Sequence, residues 1–441
     1  MAETACARST ALTPHFRGRL PGPSPAELAL TPGPSSAKWE RAAAGGARAP
    51  LPLSVGEARG EGSSRLAPRW ARARNVLAAR LDNVGDVIMC GPALRAIRES
   101  LPGARLTLWA SPGGAAAAAL LPYVDDVLAT KVIWQDLGGM PLDAGRERSL
   151  VEELRGRGFD AALIFTSFAQ SPYPPAYACY LAEIPLRAGQ SKEFGGGLLT
   201  TWVRPLPDET HQVDRNLHLL EELGFAVRDR ALFVAVPPEA RESAATLARH
   251  GLGPIHHLPS PPTGRGRTHP PGDAATAKAS GYAVLHPAAS CPARTYPWQR
   301  FVAIGRELAR RLGLRIVLTG TARERELIDG IAAEIGPAAV PIAGETTLPE
   351  LAAVVDGAAL IVANNTSLMH VADALRTPSV ILFAGTELES QWRPRSTRAR
   401  LLRRDTWCSP CYQLVCPTRQ ECLDVPPAEV VEAAMEVLDE A

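Results

Sequence analysis

Short apolar runs alternate with helically spaced segments along most of the chain. In the first half, runs at 75–80, 105–110, 124–128, 161–165, around 187–189 and at 231–236 predict strands. Helices are predicted between them at 87–98, 113–121, 150–157, 214–223 and 238–250, and a Pro- and Tyr-rich loop from Ser171 is predicted to cover a cleft. The pattern repeats in the second half, with strands at 282–286, 315–319, 340–343, 359–364 and 379–383. Its helices are expected at 298–312, 323–335, 348–355 and 427–438. Alternation of this kind predicts an α/β fold with two parallel sheets, that is, two facing Rossmann-like domains whose ligand lies at the strand carboxyl ends. No G-x-G-x-x-G fingerprint follows any strand, which weighs against a dinucleotide oxidoreductase.

The change of period is sharpest in Ala359–Leu375, where an apolar run meets Asn364, Asn365, Thr366 and Ser367 before helical spacing begins. Asn and Thr there can cap the helix, whose first N–H groups and positive dipole end suit an anion such as a diphosphate, with His370 on the same first turns. The alternative is an ordinary capped crossover helix. Three other strand ends carry candidate chemistry. Asp86 follows the first strand as a candidate base or as a cap of its own helix, with Asp82 a second carboxylate in the same turn. Ser290 and Arg294 follow the strand ending at His286, and Gly320 and Glu324 the strand ending at Thr319. Arginine forks onto diphosphates, and a carboxylate can read a ribose diol.

Composition changes this picture little. The 47 Lys and Arg nearly balance the 46 Asp and Glu, giving +1, with no basic stripe, so nucleic acid is not expected as a partner. Residues 1–72 are rich in Pro, Ala, Gly, Ser and Arg without periodicity, as are 256–280, and both are expected to be disordered. The expected domains are then 73–255 and 281–425, followed by a terminal helix in 426–441. No apolar run is long enough to span a bilayer, and no secretory signal is expected at the N-terminus, so the compartment is expected to be cytoplasmic and reducing. Cys408, Cys411, Cys416 and Cys422 precede the last helix with C-x2-C-x4-C-x5-C spacing. They can form a structural zinc site, redox-dependent disulfides or free thiols, and less readily an iron–sulfur cluster.

Arg80–Val87 with Gly91–Leu94, His286–Ser290 with Arg294 and Trp298, Gly320–Glu324, Asn365–His370, Ala384–Thr386 and Trp392–Pro394 occur in an order that resembles glycosyltransferase family 9, the ADP-heptose:lipopolysaccharide heptosyltransferases. The resemblance covers about 75–440, excluding 256–280. It implies a GT-B architecture, the acceptor handled by the first domain and a nucleotide-sugar by the second, and inverting transfer without a catalytic metal. By motif position Asp86 would be the base, Ser290, Arg294, Thr366, Ser367 and His370 would hold the diphosphate, and Glu324 would contact the ribose. Asn365 and Leu368 complete the donor side. The implied partners are ADP-heptose or another nucleotide-sugar and a lipopolysaccharide-like glycan acceptor, reached by peripheral contact at the inner membrane face. The family usually has Asp-Thr-Gly where this chain has Asn365-Thr366-Ser367, and Gly where it has Ala288. These departures leave a non-catalytic nucleotide-sugar-binding protein and a GT-B-like sugar-nucleotide epimerase as alternatives.

Overall fold

The computed structural model describes residues 66–136, 138–251 and 281–439. The first half contributes β1 (Asn75–Arg80), β2 (Arg105–Ala110), β3 (Asp126–Ala129), β4 (Ala161–Ile164), β5 (Leu186–Gln190) and β6 (Thr201–Val203). They form one parallel sheet in the order β3-β2-β1-β4-β5-β6. The second half contributes β7 (Tyr282–His286), β8 (Arg315–Leu318), β9 (Ala339–Pro341), β10 (Leu360–Asn364), β11 (Ser379–Leu382) and β12 (Ala399–Leu402). Their order is β12-β11-β10-β7-β8-β9, again parallel, which repeats the topology of the first sheet. Each sheet therefore has a switch point where the strand order reverses, between β1 and β4 and between β7 and β10. Crevices open at the carboxyl ends of such strands.

Every residue of β10 is buried, because helices cover both faces of a parallel sheet and the strand has no solvent face to alternate toward. The apolar packing is shared between the halves. Val87, Ile88 and Leu120 from the first and Ala352, Leu368 and Met369 from the second belong to one contiguous cluster, while a separate core lies under β7, β8 and the helix Trp298–Leu312.

Several local expectations are corrected. Order reaches back at least to Leu66, since Trp70 on the helix Pro68–Ala71 is 1 % exposed and meets Phe225 edge-on at 6.4 Å. The expected disordered tail to residue 72 is thus too long by these residues; the rest of it, like 256–280, lies outside the described residues. The loop from Ser171 is instead the helix Tyr173–Leu181, whose prolines fall in the first turn, where no intrahelical N–H bond is lost. Residues 231–236 form no strand; the edge place belongs to β6, too short to show a period. The expected helix 87–98 is two, Val84–Met89 and Gly91–Ser100, with Pro92 opening the second. Residues 114–120 wind as a 3-10 turn against the first junction, and a Cβ on Gly114 would lie 2.5 Å from the Asp82 carbonyl oxygen.

Candidate functional site

β1 ends in Arg80, whose side chain is fully buried. Its guanidinium meets Asp82 at 3.0 Å (Nε to Oδ2) and Asp86 at 2.8 Å (Nη2 to Oδ1). Burial alone would lower the Arg80 pKa, but Asp82 and Asp86 outweigh it and raise it. Burial pushes the Asp82 carboxyl up, against the pull of Arg80 and with the push of Asp86, and Gln170 donates to its Oδ1 at 2.5 Å. Asp86 is the third residue of the helix Val84–Met89, and its Oδ2 accepts from the Asn83 N–H at 3.3 Å in a capping box. Asp86 therefore caps its helix, the second of its two sequence readings, while Arg80 holds its side chain 19 % exposed at the switch point of the first sheet.

The helix Ser367–Leu375 leaves β10 at the second switch point. Its N-cap is Thr366, yet no side chain caps it, contrary to expectation, so its first turn keeps its dipole end unanswered by any cap. Thr366 Oγ1 is buried without a hydrogen-bond partner, an arrangement that costs about 1–3 kcal/mol unless a ligand or water answers it, and the buried Asn365 Nδ2 reaches only the Glu387 carboxylate, outside ordinary hydrogen-bond geometry. Asn365 Oδ1 accepts from the Ala384 N–H at 3.1 Å, which fixes the orientation of the amide. Asn364 has a different task. Its Nδ2 donates to the Pro287 carbonyl at 2.7 Å and its Oδ1 accepts from the Tyr296 N–H at 3.1 Å, stapling the loop after β7 to the end of β10.

That loop carries Ser290, which is exposed, and Arg294. Arg294 donates from Nε to Thr386 Oγ1 at 3.2 Å and from Nη2 to Glu387 Oε1 at 2.6 Å. Glu324 caps the turn after β8, with its Oε2 accepting from Thr321 N–H at 2.6 Å and Thr321 Oγ1 at 3.0 Å. Leu368 buries its side chain in the core, leaving only its backbone for a ligand.

The two switch points meet. Gly85 donates its N–H to Ser367 Oγ at 3.2 Å, and a Cβ on Gly85 would lie 2.8 Å from His370 Cδ2. His370 is thus packed against the turn that carries Asp86, and burial lowers its pKa to about 4, with His211 adding to the effect and Asp373 opposing it. A neutral ring brings an N–H but no charge to whatever it meets. His211 bridges the halves as well: its Nδ1 accepts from the Val213 N–H at 3.2 Å and its Nε2 meets the Arg393 carbonyl at 3.0 Å, and burial first also lowers its pKa to about 4. Both rings bind protons more weakly folded than unfolded, so stability is present above the unfolded pKa near 6.5 and is lost as pH falls toward 4. Chemical denaturation at about pH 5 and pH 7 should show a loss of about 2 kcal/mol per ring, and His370→Gln should remove its share of that pH dependence.

The cysteine loop packs against the Gly385–Thr386 turn and the loop after β7. Cys411 and Tyr412 donate their N–H groups to Gly385 and Thr386 at 3.0 Å each, and Ala293 donates to Leu414 at 3.1 Å. Cys408, Cys411, Cys416 and Cys422 are half-buried free thiols, and among the described residues no group of three or more His, Cys, Asp or Glu is placed to hold a metal ion. Two cavities lie outside the constellation. One, of about 540 Å³, is polar and bordered by His211, Asp214, Arg393 and Arg395; the other, about 410 Å³, is an apolar groove between Trp134, Leu150 and Tyr177. Donor chemistry, not volume, marks the site.

The sequence reading missed Arg80, Asn364 and Glu387 as site residues. A charge closing an otherwise apolar strand was the available signal for Arg80, and a carboxylate directly after the Gly385-Thr386 turn the one for Glu387. Nothing in the sequence separates Asn364 from Asn365.

The family model described as Glycosyltransferase family 9 (heptosyltransferase) matches residues 147–421. Lipopolysaccharide heptosyltransferase 2 of Escherichia coli strain K12 is 24 % identical over 335 residues, which cover 73 % of this chain and 85 % of that protein. Lipopolysaccharide heptosyltransferase 3 of the same strain is 25 % identical over 370 residues, covering 80 % and 95 %. Among solved structures, the glycosyl transferase family 9 protein from Veillonella parvula DSM 2008 aligns with a TM-score of 0.62 at 18 % identity, covering 83 % of this chain and 98 % of that one. The E. coli ADP-heptose lps heptosyltransferase II aligns with a TM-score of 0.61 at 22 % identity, covering 83 % and 100 %. The fold is GT-B, with two facing Rossmann-like halves. Asp86 lies outside the family-model match.

Proposed function

The chain belongs to glycosyltransferase family 9, and from that premise we propose that it is an inverting, metal-independent glycosyltransferase moving heptose from ADP-heptose onto a lipopolysaccharide-core or related glycan acceptor. The observation that carries this reading is the pairing of available donors with a charge: Thr366 Oγ1 without a partner, an uncapped helix end and the amide of Asn365, with Arg294 on the neighbouring loop and Asp86 across the Gly85–Ser367 contact. In this reading the acceptor hydroxyl gives its proton to Asp86 as its oxygen bonds to the anomeric carbon. The bond from that carbon to the diphosphate breaks, and the electron pair leaves with the nucleoside diphosphate. Arg294, Thr366 Oγ1 and the helix dipole neutralise the developing charge, in an arrangement fixed before reaction. Glu324, whose cap uses only Oε2, offers Oε1 to the ribose.

Among the described residues no helix is long and apolar enough to cross a membrane. Work on a lipid-linked acceptor would then be done by peripheral contact at the inner face of the cytoplasmic membrane.

Thermal-shift measurements with ADP, UDP, GDP and their sugar conjugates test the proposal, since a ligand at 100 times its Kd stabilises by about 2.7 kcal/mol. ADP and ADP-heptose should raise Tm more than the other nucleotides, and heptose should pass to a lipopolysaccharide core. Binding without turnover would favour a nucleotide-sugar-binding protein, and conversion of the donor with no acceptor present would favour an epimerase.

A further inference from the structure

We infer that Glu387 is a specificity-determining residue of the donor site, presenting its carboxylate to hydroxyls of the transferred sugar; this rests on the transferase reading above. Glu387 sits in the turn after β11, with its side chain 19 % exposed and its Oε1 2.6 Å from Arg294 Nη2. Thr386 holds the Nε edge of the same guanidinium, so Nη1 is the edge left for a diphosphate. On its other side Glu387 meets the amide of Asn365, whose Nδ2 is buried, reaches the carboxylate outside ordinary hydrogen-bond geometry and keeps a second N–H to give, and whose Oδ1 is already committed to Ala384. The turn also borders the first half of the molecule. The next loop residue to bond it, Tyr412, packs its ring 5.5 Å from that of Phe168, and Asp86 is close enough for its charge to push the Glu387 carboxyl up, with burial the larger cause and Arg294 opposing.

A sugar transferred from a diphosphate on Arg294 to a hydroxyl on Asp86 must lie between those two groups. Glu387 borders that space, so what it meets there is the sugar. A second anion beside two carboxylates would be repelled, and an apolar group would leave the remaining acceptor sites of the Glu387 carboxylate, of which Arg294 holds Oε1, and the second Asn365 N–H unanswered. Hydroxyl donors satisfy both: sugar O–H groups donate to Glu387 while Asn365 Nδ2 donates to a sugar oxygen. The class of sugar that fits is therefore neutral and polyhydroxylated.

Because Glu387 also touches Arg294, the test must separate sugar reading from a simple hold on the arginine. Isothermal titration of the whole protein with ADP and with ADP-heptose, for wild type and Glu387→Gln, does so. Glutamine keeps the size and one acceptor oxygen but loses the charge, and a hydrogen bond to a charged group is worth about tenfold or more in affinity. The expected result is a loss of about tenfold or more for ADP-heptose, with ADP changed less than about threefold. Parallel changes for both ligands would make Glu387 a holder of Arg294 alone and overturn the inference, as would no change in either. If wild type binds neither ligand, the transferase reading itself falls, an outcome distinct from the other two. A circular-dichroism melt of each variant confirms that folded protein is compared.

Discussion

Asp86→Asn is expected to lower kcat by about 10²–10⁴, the usual contribution of a positioned general base, while leaving donor affinity nearly unchanged. The substitution keeps the shape of the side chain, and its carbonyl oxygen can still accept from Arg80 Nη2, which now holds Asp86 Oδ1 at 2.8 Å. What it loses is the ability to take a proton and one acceptor: the amide nitrogen would face the Asn83 N–H, donor against donor. That mismatch costs about 1 kcal/mol of stability, small beside the catalytic loss. Donor affinity should hold because the Arg294 and Thr366 side of the site belongs to the other half of the molecule and does not use Asp86. Initial rates at saturating donor, with donor Kd measured separately, read the split. Normal turnover by the variant would remove Asp86 from the reaction; a parallel loss of donor binding would make it a structural cap and no more.

The two sheets were legible in the sequence because a parallel strand buried on both faces has to be written as an unbroken apolar run. β1, β7 and β10 could be bounded closely for that reason. Elements without that burden were lost. β6 is a three-residue edge strand with Trp202 half out in solvent, and β12 is only half-buried, so neither writes a run long enough to read. Pro174 and Pro175 hide the helix Tyr173–Leu181 behind residues typical of loops, although a proline in a first turn has no intrahelical N–H to forfeit.

In the site, residue types at strand ends pointed to loops at the two switch points, but their hydrogen bonds could not be deduced. Asn364 and Asn365 are adjacent and identical, yet a strand alternates its faces, so one amide turns inward to staple the 287–296 loop and the other turns toward the cleft. Glu387 stayed hidden for a related reason. Its importance comes from Arg294, ninety-three positions away, and such a pairing is set by how β7 and β11 flank β10 in the sheet.

Replacing Arg80 should do the greatest damage to the fold itself. Arg80→Met keeps the length and the apolar stem but leaves Asp82 and Asp86 without the guanidinium that contacts both, in a place where Arg80 has no exposed surface. Removing one partner of a buried ionic cluster costs about 3–5 kcal/mol, most of it the uncompensated charge that stays behind. The pH dependence identifies that cause. Burial already raises the Asp82 pKa with Arg80 present, and without it the folded pKa rises further above the unfolded value near 3.9. A carboxyl shifted that way binds protons more tightly when folded, so its own contribution to stability falls as pH rises through that window and recovers on acidification. His211 and His370 contribute the same pH dependence to both proteins, so the signature is the difference between them: the destabilisation caused by Arg80→Met should shrink between pH 7 and about 5. Urea titrations of both proteins across this range give the comparison, and similar pH profiles would show that lost packing, not charge, explains the damage. A second change, Asp82→Asn in the Arg80→Met background, should recover part of the stability by removing one stranded charge. It should not recover activity, because Asp86 would still lack the group that aims it into the cleft.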